Sequence, residues 1–105
     1  VDGAVVLTIR RRWDPLYGLM VEADGALDAD TCPVLQATLL TALTETAVCC
    51  DLGGASVFGA AAADTLAVVH LHAAYLRQPF SIREISDLAA SVLRITGLDA
   101  ILTIV

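Results

Sequence analysis

The tightest constraint in this chain is a short apolar run at residues 47–52 (AVCCDL), bounded by Thr44, Glu45 and Thr46 on one side and Gly53-Gly54 on the other. Six residues are short for a helix, and the run lacks the polar alternation of a half-solvated strand. A strand of that composition needs cover on both faces, as in a parallel sheet. The flanking segments are suited to supply it. Residues 4–10 (AVVLTIR) are β-branched and read as a first strand, broken at residues 11–16, where Asp14-Pro15 signals a turn. Residues 17–23 (YGLMVEA) form a second strand in a hairpin with the first. A helix follows, N-capped by Asp30 or Thr31, with Pro33 in its first turn, where a missing N–H costs nothing. Leu35, Leu39, Leu40 and Leu43 make its apolar face. Residues 53–56 read as a loop. The longest helix runs from Ala60 or Ala61 to Arg77, with Leu66, Val69, Ala73 and Leu76 on one face. Residues 79–85 (PFSIREI) are a strand. Ser86 or Asp87 caps a short helix through Thr96, Gly97 ends it, and residues 100–105 are a final strand. The order β-β-α-β-α-β-α-β implies an α/β fold in one domain over residues 1–105. Its sheet is mixed but mostly parallel, with an N-terminal antiparallel hairpin and helices packed on it.

Charge narrows the function. Twelve acids stand against six bases, all of them Arg, for a formal charge of −6. That balance argues against an electrostatic grip on nucleic-acid phosphates or anionic lipid. Without Lys, a Walker-type phosphate loop, a Schiff-base enzyme and a lysine general base are excluded. The mean hydropathy of +0.75 suggests a membrane. Asp, Thr and Arg nevertheless interrupt every run before the roughly 18–20 apolar residues a spanning helix needs. Residues 1–9 are apolar but precede the Arg cluster, the reverse of a signal peptide. Val1 in place of an initiator Met fits a trimmed chain or a piece of a longer one. The expected setting is the cytoplasm, and the lack of Lys beside abundant Ala, Leu and Arg suits a GC-rich, actinobacterial genome.

Candidate reactive groups do not assemble into a site. His70 and His72 project roughly 200° apart on a helix, so they cannot share a metal. Cys49 and Cys50 are neighbours whose side chains point to opposite faces of a strand. With Cys32 they read as buried free thiols of a reducing compartment, a redox sensor being the alternative. Cys32 lies near a helix N-terminus, where the dipole lowers a thiol pKa, or is a small residue packed beside Pro33. Arg10-Arg11-Arg12 beside Trp13 reads as a solvated hairpin end, Gly53-Gly54 as a turn, and Asp28 with Asp30 as caps. No metal, cofactor or catalytic set is expected, and the chain does not read as an enzyme.

Three strings carry a family likeness. Gly25-Ala26-Leu27-Asp28 is similar to a Gly-x-Leu-Asp lead-in to the first helix. Asp51-Leu52-Gly53-Gly54-Ala55-Ser56 resembles an Asp-Leu-x-x-(apolar)-(Ser/Thr) strand end. Leu93-Arg94-Ile95-Thr96-Gly97-Leu98-Asp99 resembles Leu-x-x-(apolar)-Thr-Gly-Leu-Asp near the C-terminal strand. In order and without gaps, they resemble the STAS domain of sulphate transporters and bacterial anti-sigma factor antagonists across essentially the whole chain. The resemblance implies the STAS fold.

In the antagonists, an Asp-Ser pair opens the next helix, and a kinase-type anti-sigma factor phosphorylates that Ser to switch binding off. Here Gly59 and Ala60 take those places, and residues 57–64 contain no Ser or Thr. Ser56 is the weak alternative acceptor. The resemblance therefore implies a non-enzymatic protein-binding module with a degenerate phosphosite. Its partner would be an anti-sigma factor of the serine-kinase type, with a homodimer also allowed. The partner-binding residues would be Asp28, Ser56, Phe58, Gly59, Ala60, Ala61 and Asp64. The methyls at residues 60–63 either allow close approach of a partner helix or are good helix formers packed near the sheet. Alternative settings are the cytoplasmic STAS domain of an anion transporter, or a subunit of a lipid-transport or other complex.

Overall fold

The computed structural model describes residues 7–105, so residues 4–6 of the expected first strand lie outside the described residues. The apolar run sits where its composition requires. Strand β3 (Val48–Asp51) lies between β2 (Gly18–Leu27) and β5 (Phe80–Arg83), parallel to both. At one edge β1 (Thr8–Asp14) pairs antiparallel with β2, and at the other β6 (Thr103–Ile104) pairs parallel with β5. Helix α1 (Cys32–Leu43) connects β2 to β3, and α2 (Ala60–Leu76) leads into β5. Helix α3 (Asp87–Thr96) and a 3-10 turn (Leu98–Ala100) lead into β6. The α/β class, the hairpin and the parallel strands agree with the sequence reading.

Two assignments change. Residues 55–58 belong to a further strand, β4 (Ala55–Phe58), parallel to β2, and only residues 53–54 form the turn. Four residues of which only Phe58 is buried carry no period to read. The three consecutive arginines lie inside β1, and the hairpin turns at residues 15–17. There Asp14 Oδ1 accepts the N–H groups of Leu16 at 2.8 Å and Tyr17 at 3.1 Å. The arginines extend the strand because β2 offers acids beside them. Arg10 Nη2 lies 2.6 Å from Asp24 Oδ2, and Arg12 Nε 3.3 Å from Glu22 Oε2. Opposite charges on adjacent strands support pairing.

The sheet has two unlike faces. Val21, Ala23, Val48, Cys50, Phe80 and Ile82 join Leu35, Leu39 and Leu43 of α1, Leu66 and Val69 of α2 and Leu93 of α3 in one core. The other face holds a register row of charge across four strands, Arg10, Glu22, Asp51 and Arg83. Beside it lies the row Arg12, Met20, Cys49, Ser81 and Thr103. Met20 and Cys49 are fully buried there and lie outside the helix-covered cluster. The expectation of cover on both sides of β3 is thus met by unlike means. Helices cover Cys50, whereas Cys49 is enclosed on a face flanked by charged side chains. Long arginine stems are suited to such shielding, since they lie along apolar surface with the guanidinium in water.

Strand β2 has two partners on one side. Its first half pairs with β3 from Leu19 to Glu22, and its second half with β4 from Gly25 to Leu27. Between these pairings the neighbouring chain makes a turn in which Asp51 Oδ1 accepts the Gly53 N–H at 2.8 Å. The chain then returns close enough for Gly54 O to accept the Gly25 N–H at 3.0 Å. A Cβ on Gly54 would lie 1.6 Å from Asp24 Oδ1, so no other residue fits without moving that carboxylate from Arg10. At the opposite end of β2, Gly18 has φ +87° and a Cβ there would meet the Ala47 carbonyl oxygen at 2.3 Å. That backbone cannot retreat, because Leu19 N–H donates to the same oxygen at 2.9 Å. Gly18→Ala is therefore expected to lower the unfolding free energy in urea by at least about 2 kcal/mol. Gly54→Ala should cost less, because a side chain can yield where a carbonyl cannot.

Candidate functional site

The C-terminal ends of parallel strands are where α/β sheets present their loops for recognition. Here Leu27 and Phe58 are register partners, so the residues that follow them, Asp28 and Gly59, leave adjacent strand ends. One leads to α1 and the other directly to α2.

Asp28 organises the first of these connections. Its Oδ1 accepts the N–H groups of Asp30 at 2.9 Å and Thr31 at 3.0 Å, while the Thr31 hydroxyl donates to the Ala26 carbonyl at 2.6 Å. Thr31 occupies the N-cap position of α1 but makes no side-chain capping bond there. Of the two expected caps, Asp30 and Thr31, the structure takes Thr31, and the carboxylate that satisfies the entering backbone belongs to Asp28. Hydrogen bonds from the Thr31 backbone N–H, with that of Asp30 contributing, hold the Asp28 carboxyl below its ordinary pKa.

The second connection has no such device. Gly59 is the N-cap of α2, with extended backbone and no capping side chain. An added Cβ would meet nothing within 4 Å. The helix start therefore presents bare backbone N–H groups and the positive end of the α2 dipole. Ala60 is exposed and Ala61 half-buried, whereas Ala62 and Ala63 are buried against the core. The alanine run thus divides: its first residue is available to a partner, and its last two are packing.

Of the remaining expected contact residues, Ser56 and Asp64 are exposed. Phe58 is not a surface residue: it is only 4% exposed and belongs to the core. In its place β4 presents Val57, 49% exposed, which the sequence reading missed. The signal lay in a strand too short to show alternation. Val57 points to the face of β4 opposite Phe58, so the expected contact residues that remain at least partly exposed are Asp28, Ser56, Gly59, Ala60, Ala61 and Asp64.

The other reactive side chains lie elsewhere. Burial pushes the thiols of Cys32, Cys49 and Cys50 up, against the thiolate a redox sensor needs. For Cys32 this favours the packing role over activation by the helix dipole. His70 is half-buried and His72 exposed on α2. Among the described residues no group of three or more His, Cys, Asp or Glu could hold a metal ion. Nor is any described helix long and apolar enough to cross a membrane.

A family model described as "Mlab, STAS domain" matches residues 17–104. A comparison with curated proteins gives no significant match. Among solved structures, the anti-sigma factor antagonist SpoIIAA in its unphosphorylated form is similar, at 12% identity and a TM-score of 0.74 over 93% of this chain and 88% of that one. Its phosphorylated form, from Bacillus, superposes with a TM-score of 0.70 at 12% identity, covering 93% and 91%. An anti-sigma factor antagonist of Mycobacterium paratuberculosis gives 0.73 at 16% identity, covering 99% and 87%. RsbS of Moorella thermoacetica gives 0.74 at 21% identity, covering 92% and 85%. The shared fold is clear at identities this low.

Two expectations follow from the site. Asp28 has a lowered folded pKa, so its stabilising effect is complete above about pH 4, the unfolded value. It is lost as pH falls through the folded value. Urea midpoints should therefore fall more between pH 5 and 2 in the wild type than in Asp28→Ala, which starts lower at pH 7. Gly59→Asp should raise stability by a few tenths of a kcal/mol, because Asp is a better N-cap than Gly and the space is open. Thermal unfolding at neutral pH reads this directly.

Proposed function

The chain belongs to the STAS domain family, and from that premise we propose that it is a regulatory protein-binding module of the anti-sigma factor antagonist type, without enzymatic activity of its own. The partner is an anti-sigma factor of the serine-kinase type, and both act in the cytoplasm. The antagonist identity of the structural relatives supports the general role. One observation carries the specific reading. The start of α2 is exposed and uncapped, with Gly59 and Ala60 where the antagonist pattern has Asp and Ser.

The physics of that replacement is plain. A phosphate adds about −1.5 to −2 charges, which a helix N-terminus tolerates within its own chain but which repels or blocks a partner docked over it. Ala60 offers no oxygen to phosphorylate, so the surface stays small and neutral in the presence of a kinase. Asp28 and Asp64 give the patch a negative rim that suits a basic partner surface and speeds encounter. Binding is then governed by the amounts of the two proteins or by competition. Ser56, exposed on β4, is the nearest alternative acceptor.

Purified protein incubated with kinase-type anti-sigma factors and ATP is expected to bind one of them and to show no added phosphate by intact mass. Stoichiometric phosphate within residues 56–65 would overturn the loss of the switch. Failure to bind any such factor, with capture instead of a transporter or a larger complex from native lysate, would overturn the antagonist reading. The pair Gly59→Asp and Ala60→Ser is expected to create a phosphorylatable site on a scaffold that already accommodates both side chains.

A further inference from the structure

Helix α2 is apolar on both sides, which is unusual for a helix with one face in water. Its buried side carries Ala62, Ala63, Leu66, Val69 and Ala73. At about 100° per residue, the opposite side carries Asp64, Ala67, Val68, Leu71, Ala74 and Tyr75. Val68, Leu71 and Tyr75 are 43%, 67% and 84% exposed. An amphipathic surface helix would place charge here, and a helix apolar all round is normally covered all round.

We propose that this stripe is the interface of a homodimer, with two α2 helices packed antiparallel about a two-fold axis through Leu71. The sizes of the side chains are self-complementary about that point. In an antiparallel pair centred on Leu71, Ala67 faces the partner's Tyr75 and Val68 faces the partner's Ala74, so these large side chains meet small ones, while Leu71 packs against its own copy at the axis. A two-fold interface requires this kind of match of a surface with itself.

Charge points the same way. Asp64 is the only residue of α2 with a formal charge, and Arg77 directly follows the helix. Neither forms an ion pair among the described residues. The same axis brings Asp64 of each copy towards the end of the other helix, where Arg77 supplies the opposite sign. Elsewhere the chain is acidic, at −6 overall, so two copies approach most easily through a stripe that carries almost no charge. That charge, with no cation on the stripe, disfavours an anionic membrane as its cover.

The inference does not rest on the antagonist reading, although Asp64 belongs to both surfaces. Dimerisation would therefore cover one end of the candidate partner patch. Sedimentation equilibrium of the full chain from about 1 to 200 µM is expected to show a mass rising towards twice 11.0 kDa. Leu71→Glu and Tyr75→Glu should each weaken association at least about tenfold while unfolding with unchanged cooperativity. Leu71→Cys should cross-link to itself under oxidised glutathione, and Leu88→Cys, exposed on α3, should not. A monomer across the whole range, a dimer indifferent to Leu71→Glu, or equal cross-linking at position 88 would each overturn the proposal. None of these results depends on binding of an anti-sigma factor.

Discussion

The close approach of Gly54 to β2 sets how the connections to α1 and α2 leave the sheet. Because residue 54 has no side chain, its carbonyl reaches the Gly25 N–H and brings the chain back onto β2 after β3 has ended. β4 then continues along β2, Leu27 comes opposite Phe58, and the connections to α1 and α2 leave from neighbouring strand ends. Asp28 and Ala60 are 32 positions apart in the chain, yet that one backbone contact places them on a common edge. The two connections are also finished differently. A carboxylate organises the start of α1, while the start of α2 has no capping side chain.

Stability and surface character come from opposite faces of the sheet. The helix-covered face contributes most, since each large aliphatic side chain removed from water contributes about 1.5–3 kcal/mol. The ion pairs on the other face are partly exposed and contribute little individually. Their more consequential effect is at the edge. Among the described residues β1 is the outermost strand at one side of the sheet, the position through which sheets stick to one another. Antiparallel self-pairing centred on its middle would set Arg11 against Arg11 and Arg10 against Arg12. Like charges set against one another disfavour self-pairing through β1, whereas the exposed stripe of α2 carries a single charged residue, Asp64.

Much of the fold was legible from local chemistry. That β3 is a parallel strand covered on both faces followed from its nearly continuous apolar run. The last helix was bracketed by Ser86 or Asp87 and by Gly97; the structure takes Ser86, whose Oγ accepts the Ala89 N–H at 3.1 Å, and Gly97 adopts φ +77°. Caps of this kind are readable because they are satisfied within a few residues. β4 was not, because its pairing depends on β2, some thirty residues earlier. The arginine run was misplaced for the same reason: the acids that make it a strand belong to a different strand. The candidate site divided along this line. Gly59 and Ala60 were identifiable as departures from a family pattern, while the burial of Phe58 and exposure of Val57 required the direction of β4.

By itself, the sequence determined the class of fold, the order of most elements, the absence of lysine chemistry and the missing hydroxyl at the start of α2. Each of these is a property of composition or of neighbours within a helical turn or a strand. Only the tertiary structure decided which methyls of residues 60–63 face solvent, which side of the sheet holds the charges, and that α2 leaves an apolar stripe uncovered. The reason is that burial is a relation between segments. A run of apolar residues shows that something must cover it, but the register and the packing decide which side is covered and which remains for a partner.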